Sequence, residues 1–144
     1  AADVREARDT LSTTTSEKLD AVSLGTPHFS VDEFRLLAEV IGDGPKFAEK
    51  IDFYISTSRD VMARSKELGY LDVFLKAGGR VVTDTCTYVT PVLNRDVKNV
   101  MTNSGKWAWY APGNLGIDTV LGSLAECVAS ARAGKVVRDE SLWS

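Results

Sequence analysis

Cysteine and histidine are scarce in this sequence, and long apolar runs are missing. Two cysteines and one histidine among 144 residues are too few for a disulfide framework or for a complete four-ligand zinc site. No apolar run approaches the roughly 20 residues of a membrane-spanning helix, and no basic-then-apolar leader indicates a signal peptide. These absences favour a reducing cytoplasm as the location and exclude the membrane as a partner.

Positive charge is not in excess. The 17 lysines and arginines against 20 aspartates and glutamates give a net charge of −3. Nucleic acid and anionic membrane surfaces are bound by clustered positive charge, so neither is expected as a partner. A content of 44% hydrophobic and 26% charged residues is typical of one folded globular domain and excludes wholesale disorder.

Two regions can be distinguished along the chain. Residues 1–18 are polar, and we interpret them as a short helix from Val4 to Leu11 followed by a hydroxyl-rich linker. Residues 19–144 alternate short apolar strands with amphipathic helices, which indicates a single domain. The predicted strands are residues 19–24, 51–55, 80–83, 99–102 and 118–121. The predicted fold class is α/β: a mostly parallel sheet of four to five strands flanked by helices, in a Rossmann-like three-layer arrangement.

Local motifs mark the helix starts. Within Phe29–Phe34, Ser30 and Glu33 have the spacing of a capping box, and the two phenylalanines that bound this stretch are placed for a hydrophobic staple. Ser123 and Glu126 repeat the capping-box spacing and open the last predicted helix.

Short polar turns follow four of the predicted strands. The carboxyl ends of parallel strands share one edge of a sheet, and ligands bind outside that edge. Helix N-termini that begin there offer free N–H groups to a carboxylate or phosphate. From the residues alone we predict a domain that binds a small anionic metabolite. The turn residues are Thr26 and His28, Ser56 to Ser58, Asp84 to Cys86, and Asn103 with Ser104.

The scarce reactive side chains each have two interpretations. His28 has the side chain whose unperturbed pKa lies near neutrality; it acts on a substrate hydroxyl, or it packs in a tight turn. Cys86 follows a strand, where it is a ligand or nucleophile candidate, or an inert buried thiol. Cys127 shares a helix face with Leu124 and Val128, which indicates a core cysteine. Two thiolates are fewer than the usual four of an iron–sulfur cluster.

The segment Met101–Tyr110 combines polar donors with aromatic rings. Asn103, Ser104 and Lys106 supply donors to a ligand. Tyr110 and the two nearby tryptophans line a pocket, or they anchor the loop to the core.

Four stretches of the sequence together resemble the catalytic subunit of the aconitase X family, a branch of the aconitase superfamily. They occur in the family's order and span most of the chain after Leu19. The TNS-K-YAP pattern is the most specific of them. The stretches are DAVSLGTPHFS (20–30), RVVTDTC (80–86), VMTNSGKWAWYAPG (100–113) and GSLAECVASARAGKVVRDE (122–140).

This resemblance implies a dehydratase (hydro-lyase) that carries an iron–sulfur cluster. The family's activities are dehydration of cis-3-hydroxy-L-proline in bacteria and of mevalonate 5-phosphate in archaea. The wording GTPHFS is closer to the hydroxyproline type, so that substrate is expected, with mevalonate 5-phosphate as the alternative. The family's cluster cysteines correspond to Cys86 and Cys127, and at least one further ligand comes from outside this chain.

Within the resemblance, the chemistry of dehydration assigns roles to single residues. His28 and Lys106 are the catalytic candidates, His28 toward the hydroxyl or the cluster and Lys106 toward the carboxylate. The family often has His where this chain has Trp109, so no catalytic role is carried over to that position. The general base, typically a serine of a separate swivelling domain in aconitase relatives, is expected outside this chain. The residues expected to bind substrate are Thr26, Ser58, Asn103, Ser104 and Tyr110.

The family's catalytic region is much longer than 144 residues, so the resemblance implies the C-terminal portion of a larger subunit. Its expected partners are a small hydroxy acid, the remainder of the catalytic subunit, and a swivelling small domain or subunit. Two other classes stay open. One is a non-catalytic α/β module that senses a small acid. The other is an assembly domain that docks through an exposed apolar patch around Trp107–Tyr110.

Overall fold

The structure, a computed structural model, describes residues 6, 18–25, 29–83, 99–104 and 118–138. Within these ranges the chain forms strands alternating with helices, which confirms the predicted α/β class. In chain order the elements are β1 (Ala21–Leu24), α1 (Val31–Ile41), β2 (Asp52–Thr57), α2 (Arg59–Glu67), α3 (Tyr70–Ala77), β3 (Arg80–Thr83), β4 (Asn99–Thr102), β5 (Asp118–Leu121) and α4 (Leu124–Ala133).

The five strands form one parallel sheet in the order β3-β2-β1-β4-β5. β1 pairs with β2 on one side and with β4 on the other. The chain therefore extends the sheet first toward β3 and later, from β4, in the opposite direction. Ligands of such sheets bind in the crevice outside the carboxyl ends of the strands where this reversal occurs. In this domain the crevice lies between the ends of β1 and β4.

Two strands differ in extent from the prediction. β1 begins at Ala21, later than the predicted start, because pairing with both β2 and β4 begins at that residue. β2 continues to Thr57, beyond the predicted end, because its last two residues pair with the last two residues of β3. The partner strand, rather than the local apolar pattern, sets both limits.

Local sequence sets the start of α1. Ser30 Oγ accepts a hydrogen bond from the Glu33 N–H at 3.1 Å, and Glu33 Oε1 accepts one from the Ser30 N–H at 3.1 Å. The rings of Phe29 and Phe34 meet edge to face, with centroids 5.0 Å apart. These contacts confirm the predicted capping box and staple. α4 begins with the same reciprocal bonds between its N-cap serine and the glutamate three residues on.

One apolar core lies between the helices and one face of the sheet. Val22 and Leu24 of β1 and Phe53 of β2 point into this core. Phe47, Phe53 and Phe74 form a cluster whose ring centroids lie 4.7 to 6.0 Å apart. The opposite face of the sheet is also buried, but it carries mainly small or hydroxyl-bearing side chains. Its buried residues are Ala21, Ser23, Tyr54, Ser56, Val100, Thr102 and Thr119.

Polar contacts near its C-terminal end attach α4 to the rest of the domain. Arg132 Nε donates to the carbonyl of Pro45 at 2.9 Å, and Arg132 Nη2 donates to the carbonyl of Ile41 at 2.5 Å. Ser130 Oγ accepts from the Val137 N–H at 2.8 Å and donates to the Val137 carbonyl at 3.2 Å. The guanidinium therefore joins the last turn of α4 to the end of α1, and the serine holds the following segment against α4.

The predicted N-terminal helix lies outside the described residues, apart from Glu6, which is helical and exposed. The division at residue 18 therefore stays a prediction. Across the ranges that the structure describes, none of the helices has the length and apolar character needed to cross a membrane.

Candidate functional site

The crevice beside β1 lies between Gly25, which follows β1, and the residues after β4. Val22 pairs with Met101, and continuing that register places Asn103 beside Leu24. The sequence predicted that the turns after the strands would share one edge. The parallel pairings put the described parts of these turns there.

The turn after β1 is fixed at both of its ends. Gly25 has a φ of 83°, and a Cβ at this position would lie 2.3 Å from the carbonyl oxygen of Ser56. Only glycine combines this left-handed backbone with so close an approach to β2. At the other end, the Phe29 N–H donates to the Ser56 carbonyl at 2.8 Å, and Thr57 Oγ1 donates to the Phe29 carbonyl at 2.6 Å. Gly25 and Phe29 are therefore both held against the end of β2.

The residues after β4 are held from within their own turn. Thr102 Oγ1 accepts a hydrogen bond from the Ser104 N–H at 3.1 Å. Asn103 and Ser104 are both half-buried. Their amide and hydroxyl are donors suited to a carboxylate. The structure thus places these two predicted substrate-binding residues at the crevice.

Ser58 lies at the same edge, but its side chain has a structural task. It is the N-cap of α2, and its Oγ accepts a hydrogen bond from the Val61 N–H at 3.2 Å. The hydroxyl retains a proton to donate. Among residues 56–58, the hydroxyls of Thr57 and Ser58 are both engaged in hydrogen bonds, and the sequence pattern selected Ser58.

The helix N-termini at this edge are capped by the chain itself. α1 and α4 are closed by capping boxes that use their own glutamates, Glu33 and Glu126. The first turn of α2 contains Asp60. Acidic side chains therefore occupy the positive ends of these helix dipoles. The backbone N–H groups that were predicted to bind an anion at these termini are therefore only partly free.

Cys127 lies near the start of α4 and faces the core. Its side chain is 0% exposed and belongs to the apolar core, as its helix-face pattern indicated. Burial raises the pKa of the thiol, and the Glu126 carboxylate raises this pKa further. Without a metal the thiol is therefore protonated and unreactive near neutral pH.

A thiol of this kind fits one position of an iron–sulfur cluster. Metal coordination deprotonates a thiol outright, so iron would overcome the raised pKa of Cys127. The set of donors is incomplete, however, because no group of three or more His, Cys, Asp or Glu side chains within the described ranges could hold a metal ion. The donor type fits, and further ligands have to come from elsewhere.

Five other predicted site residues, and the predicted apolar patch around Trp107–Tyr110, lie outside the described residues. Their roles stay predictions. The five residues are Thr26, His28, Cys86, Lys106 and Tyr110.

Two clefts are formed by residues at the opposite edge of the sheet, near the amino ends of the strands. One has a volume of about 310 Å³ and lies beside Asp52 and Arg80. The other has a volume of about 400 Å³ and lies beside Asp20 and Lys135. Neither cleft touches the crevice beside β1, so they add nothing to the candidate site.

An open parallel sheet with a crevice at its switch point defines the general class of ligand-binding α/β domains. Within that class, the family model described as the aconitase X third domain matches residues 19–133. This match covers most of the chain, and the chain therefore belongs to the aconitase X family.

Relatives of known activity are similar to most of the chain. It is 36% identical over 142 residues to a cis-3-hydroxy-L-proline dehydratase of Pseudomonas aeruginosa. The aligned region is 97% of this chain and 24% of that protein. It is 39% identical over 120 residues to a phosphomevalonate dehydratase large subunit of Methanothermobacter thermautotrophicus. The aligned region is 83% of this chain and 29% of that protein.

A solved structure shares the fold. The holo-form crystal structure of Thermococcus kodakaraensis aconitase X superposes with a TM-score of 0.76 at 28% identity, covering 90% of this chain and 32% of that chain. The chain thus spans about a quarter to a third of the length of these relatives.

Proposed function

We propose that residues 19–144 are one domain of the catalytic subunit of a cytoplasmic iron–sulfur hydro-lyase that dehydrates cis-3-hydroxy-L-proline to Δ1-pyrroline-2-carboxylate. The observation that carries this proposal is the 36% identity along 97% of the chain to a dehydratase of that substrate. Because the chain spans 24% of that relative, the remainder of the catalytic subunit and a swivelling small domain or subunit are the proposed partners.

The reaction removes a proton from the α-carbon and the hydroxyl group from the neighbouring carbon. The resulting C=C bond rearranges to the C=N bond of the product, and water is released. The protein must hold the carboxylate and bring a base to the α-proton. When bound, an iron–sulfur cluster supplies a Lewis acid for the departing hydroxyl. Cys127 and Cys86 are the proposed ligands from this chain.

The chain's own residues are proposed to bind the substrate and move one proton. Asn103 and Ser104, at the crevice, donate hydrogen bonds to the carboxylate, and Lys106 adds a positive charge beside it. His28 donates a proton to the oxygen of the leaving hydroxyl. The base that takes the α-proton lies outside this chain. Further substrate contacts are proposed for Thr26, Ser58 and Tyr110.

Mevalonate 5-phosphate is the second candidate substrate. The observation that favours it is the 39% identity to a phosphomevalonate dehydratase large subunit. Both candidates are 3-hydroxy acids, so the same carboxylate-binding residues serve either one.

The direct test is an assay of the full-length protein, purified without oxygen, with each of the two substrates. We expect turnover of cis-3-hydroxy-L-proline and none of mevalonate 5-phosphate. The reverse result would transfer the proposal to the second substrate. Turnover of neither, with no iron in the protein, would favour the non-catalytic module that senses a small acid.

The ligand roles are tested by iron content and visible absorbance of the same protein. We expect Cys86→Ser and Cys127→Ser each to lose iron and absorbance. Val128→Ala is the matched control, because Val128 is the buried neighbour on the same face of α4, and it should retain both. Full retention of iron in the two cysteine variants would remove the ligand roles.

A further inference from the structure

Ser56 is a buried serine of β2 with an unusual hydroxyl. The residue is 1% exposed, and its Oγ has no hydrogen-bond partner in the part of the chain that the structure describes. A buried polar atom left unpaired forfeits its hydration without compensation. Such atoms are uncommon in folded proteins, and each calls for an explanation.

The position of Ser56 relates this hydroxyl to the crevice. Ser56 lies near the carboxyl end of β2, directly beside Gly25 and Phe29. Its carbonyl receives the Phe29 N–H at 2.8 Å and lies against Gly25. Because side chains alternate along a strand, the Ser56 side chain is on the face opposite to its neighbour Ile55, which belongs to the helix-side core. The hydroxyl is therefore outside the apolar core and next to the ligand-binding edge.

The hydroxyl is also free to change its direction. The backbone of Ser56 is fixed by the pairing of β2 with β3 and by the bond to Phe29. Its Oγ, in contrast, has no hydrogen bond to a described residue that must break when the side chain turns to another staggered rotamer. Ser58, at the same strand end, differs because its Oγ is held as the cap of α2.

We propose that Ser56 is a substrate-binding residue whose hydroxyl donates a hydrogen bond to the carboxylate of the small hydroxy acid. This inference rests on the proposed function, and it holds for either candidate substrate because both carry a carboxylate. A serine hydroxyl is a suitable donor to a carboxylate oxygen, and a bond to a charged group is among the stronger hydrogen bonds.

The test compares Ser56→Ala with Ser65→Ala in the full-length enzyme, assayed with whichever substrate the wild type converts. Ser65 is the matched control, because it is a fully buried serine whose hydroxyl also lacks a partner within the described ranges, but it lies in α2. We expect Ser56→Ala to raise KM about tenfold, the loss typical of one hydrogen bond to a charged group. We expect Ser65→Ala to leave KM unchanged and both variants to keep the wild-type melting temperature.

Two further measurements separate binding from structure. Ser56→Thr retains the hydroxyl and should bring KM back toward the wild-type value, which covers the case in which the alanine variant folds poorly. For the hydroxyproline substrate, L-proline carries the carboxylate without the leaving hydroxyl. Its inhibition constant should rise by the same factor as KM in Ser56→Ala.

Three results would overturn the inference. One is a KM of Ser56→Ala within twofold of wild type, which leaves the proposed function intact. A second is a raised KM with an unchanged inhibition constant for L-proline, because Ser56 would then not contact the carboxylate. A wild-type enzyme that converts neither substrate overturns the proposed function and this inference together.

Discussion

At the scale of single residues, Cys127 is a core residue that we also propose as a cluster ligand. In the chain alone its thiol is a small apolar group of the core, with 0% exposure and a pKa raised first by burial and then by Glu126. With iron bound, the same sulfur would be a thiolate. A core position and a ligand role are therefore compatible. The pH dependence of stability shows whether the thiol of the metal-free chain is protonated.

We expect the metal-free chain to lose stability in alkali through Cys127. An exposed thiol in the unfolded chain ionises near pH 8.5, whereas burial keeps the folded thiol protonated above that pH. Because the unfolded state then binds fewer protons, stability is complete below about pH 8.5 and falls above it by up to about 1.4 kcal/mol per pH unit.

The measurement is urea unfolding of wild type and Cys127→Ala at pH 7.5 and pH 9.5. Between these two values the wild type should lose about 1.4 kcal/mol more than the variant. The comparison cancels other groups that titrate in alkali. An equal loss in both proteins would show that Cys127 ionises in the folded state.

Replacement by alanine is expected to affect the free energy of unfolding differently at two serines near the end of β2. Ser58→Ala removes the N-cap of α2 and should lower the free energy of unfolding by about 1 kcal/mol. Ser56→Ala removes an unpartnered buried hydroxyl and should leave that free energy unchanged or slightly higher. Urea unfolding of both variants checks this difference. A cost for Ser56→Ala as large as that for Ser58→Ala would show that Ser56 has a structural partner.

At the scale of elements, the turn after β1 depends on Gly25. Gly69 has the same φ of 83°, but a Cβ there would meet nothing within 4 Å. Gly69→Ala should therefore lower the free energy of unfolding only by about 1–2 kcal/mol, the cost of a left-handed backbone at a residue other than glycine. Gly25→Ala adds a collision with the Ser56 carbonyl and should cost clearly more. Thermal unfolding of the two variants measures the difference, and equal losses would mean that the turn moves away from β2 without penalty.

The contact between α1 and α4 depends on Arg132. Arg132→Ala removes donors to the Ile41 and Pro45 carbonyls, and we expect a loss of about 1–3 kcal/mol because two hydrogen bonds from a charged donor are lost, although the Ile41 carbonyl keeps its bond from the Gly44 N–H. Arg132→Lys should restore only part of it, because one ammonium cannot reproduce the guanidinium fork. Arg35→Ala is the control. Its ion pairs with Asp32 and Glu39 lie on the exposed side of α1, so its removal should leave stability nearly unchanged.

Elements whose signals are local were predictable, and those that depend on partners were not. α1 is announced by Ser30, Glu33 and the flanking phenylalanines, all within one turn of its start. The end of β2 depends instead on β3, which lies more than twenty residues further along the chain. The strand order is likewise non-local, so the nearness of Asn103 to the turn after β1 had no signature beyond polar residues after each strand. The orphan hydroxyl of Ser56 arises from packing and has no sequence signal.

At the scale of the whole molecule, folding and activity are expected to separate. The described residues close one apolar core between the helices and the sheet, and domains of this size usually unfold in one cooperative step. The candidate site, in contrast, holds hydrogen-bond donors to a carboxylate, and the chain supplies two proposed cluster thiols, whereas the proposed base and a further proposed cluster ligand belong to other parts of the protein. The 144-residue chain should therefore fold alone and convert no substrate.

Circular dichroism and tryptophan fluorescence of the isolated chain in urea should give coincident transitions, and the same sample should show no dehydration of cis-3-hydroxy-L-proline. Mixing the chain with the remainder of the protein, produced separately, should restore both iron binding and turnover if the two parts reassemble around the crevice. Turnover by the isolated chain would place the base within these residues. Non-coincident transitions would instead mean that the core requires the rest of the polypeptide, and the site would then be assembled only when the domains fold together.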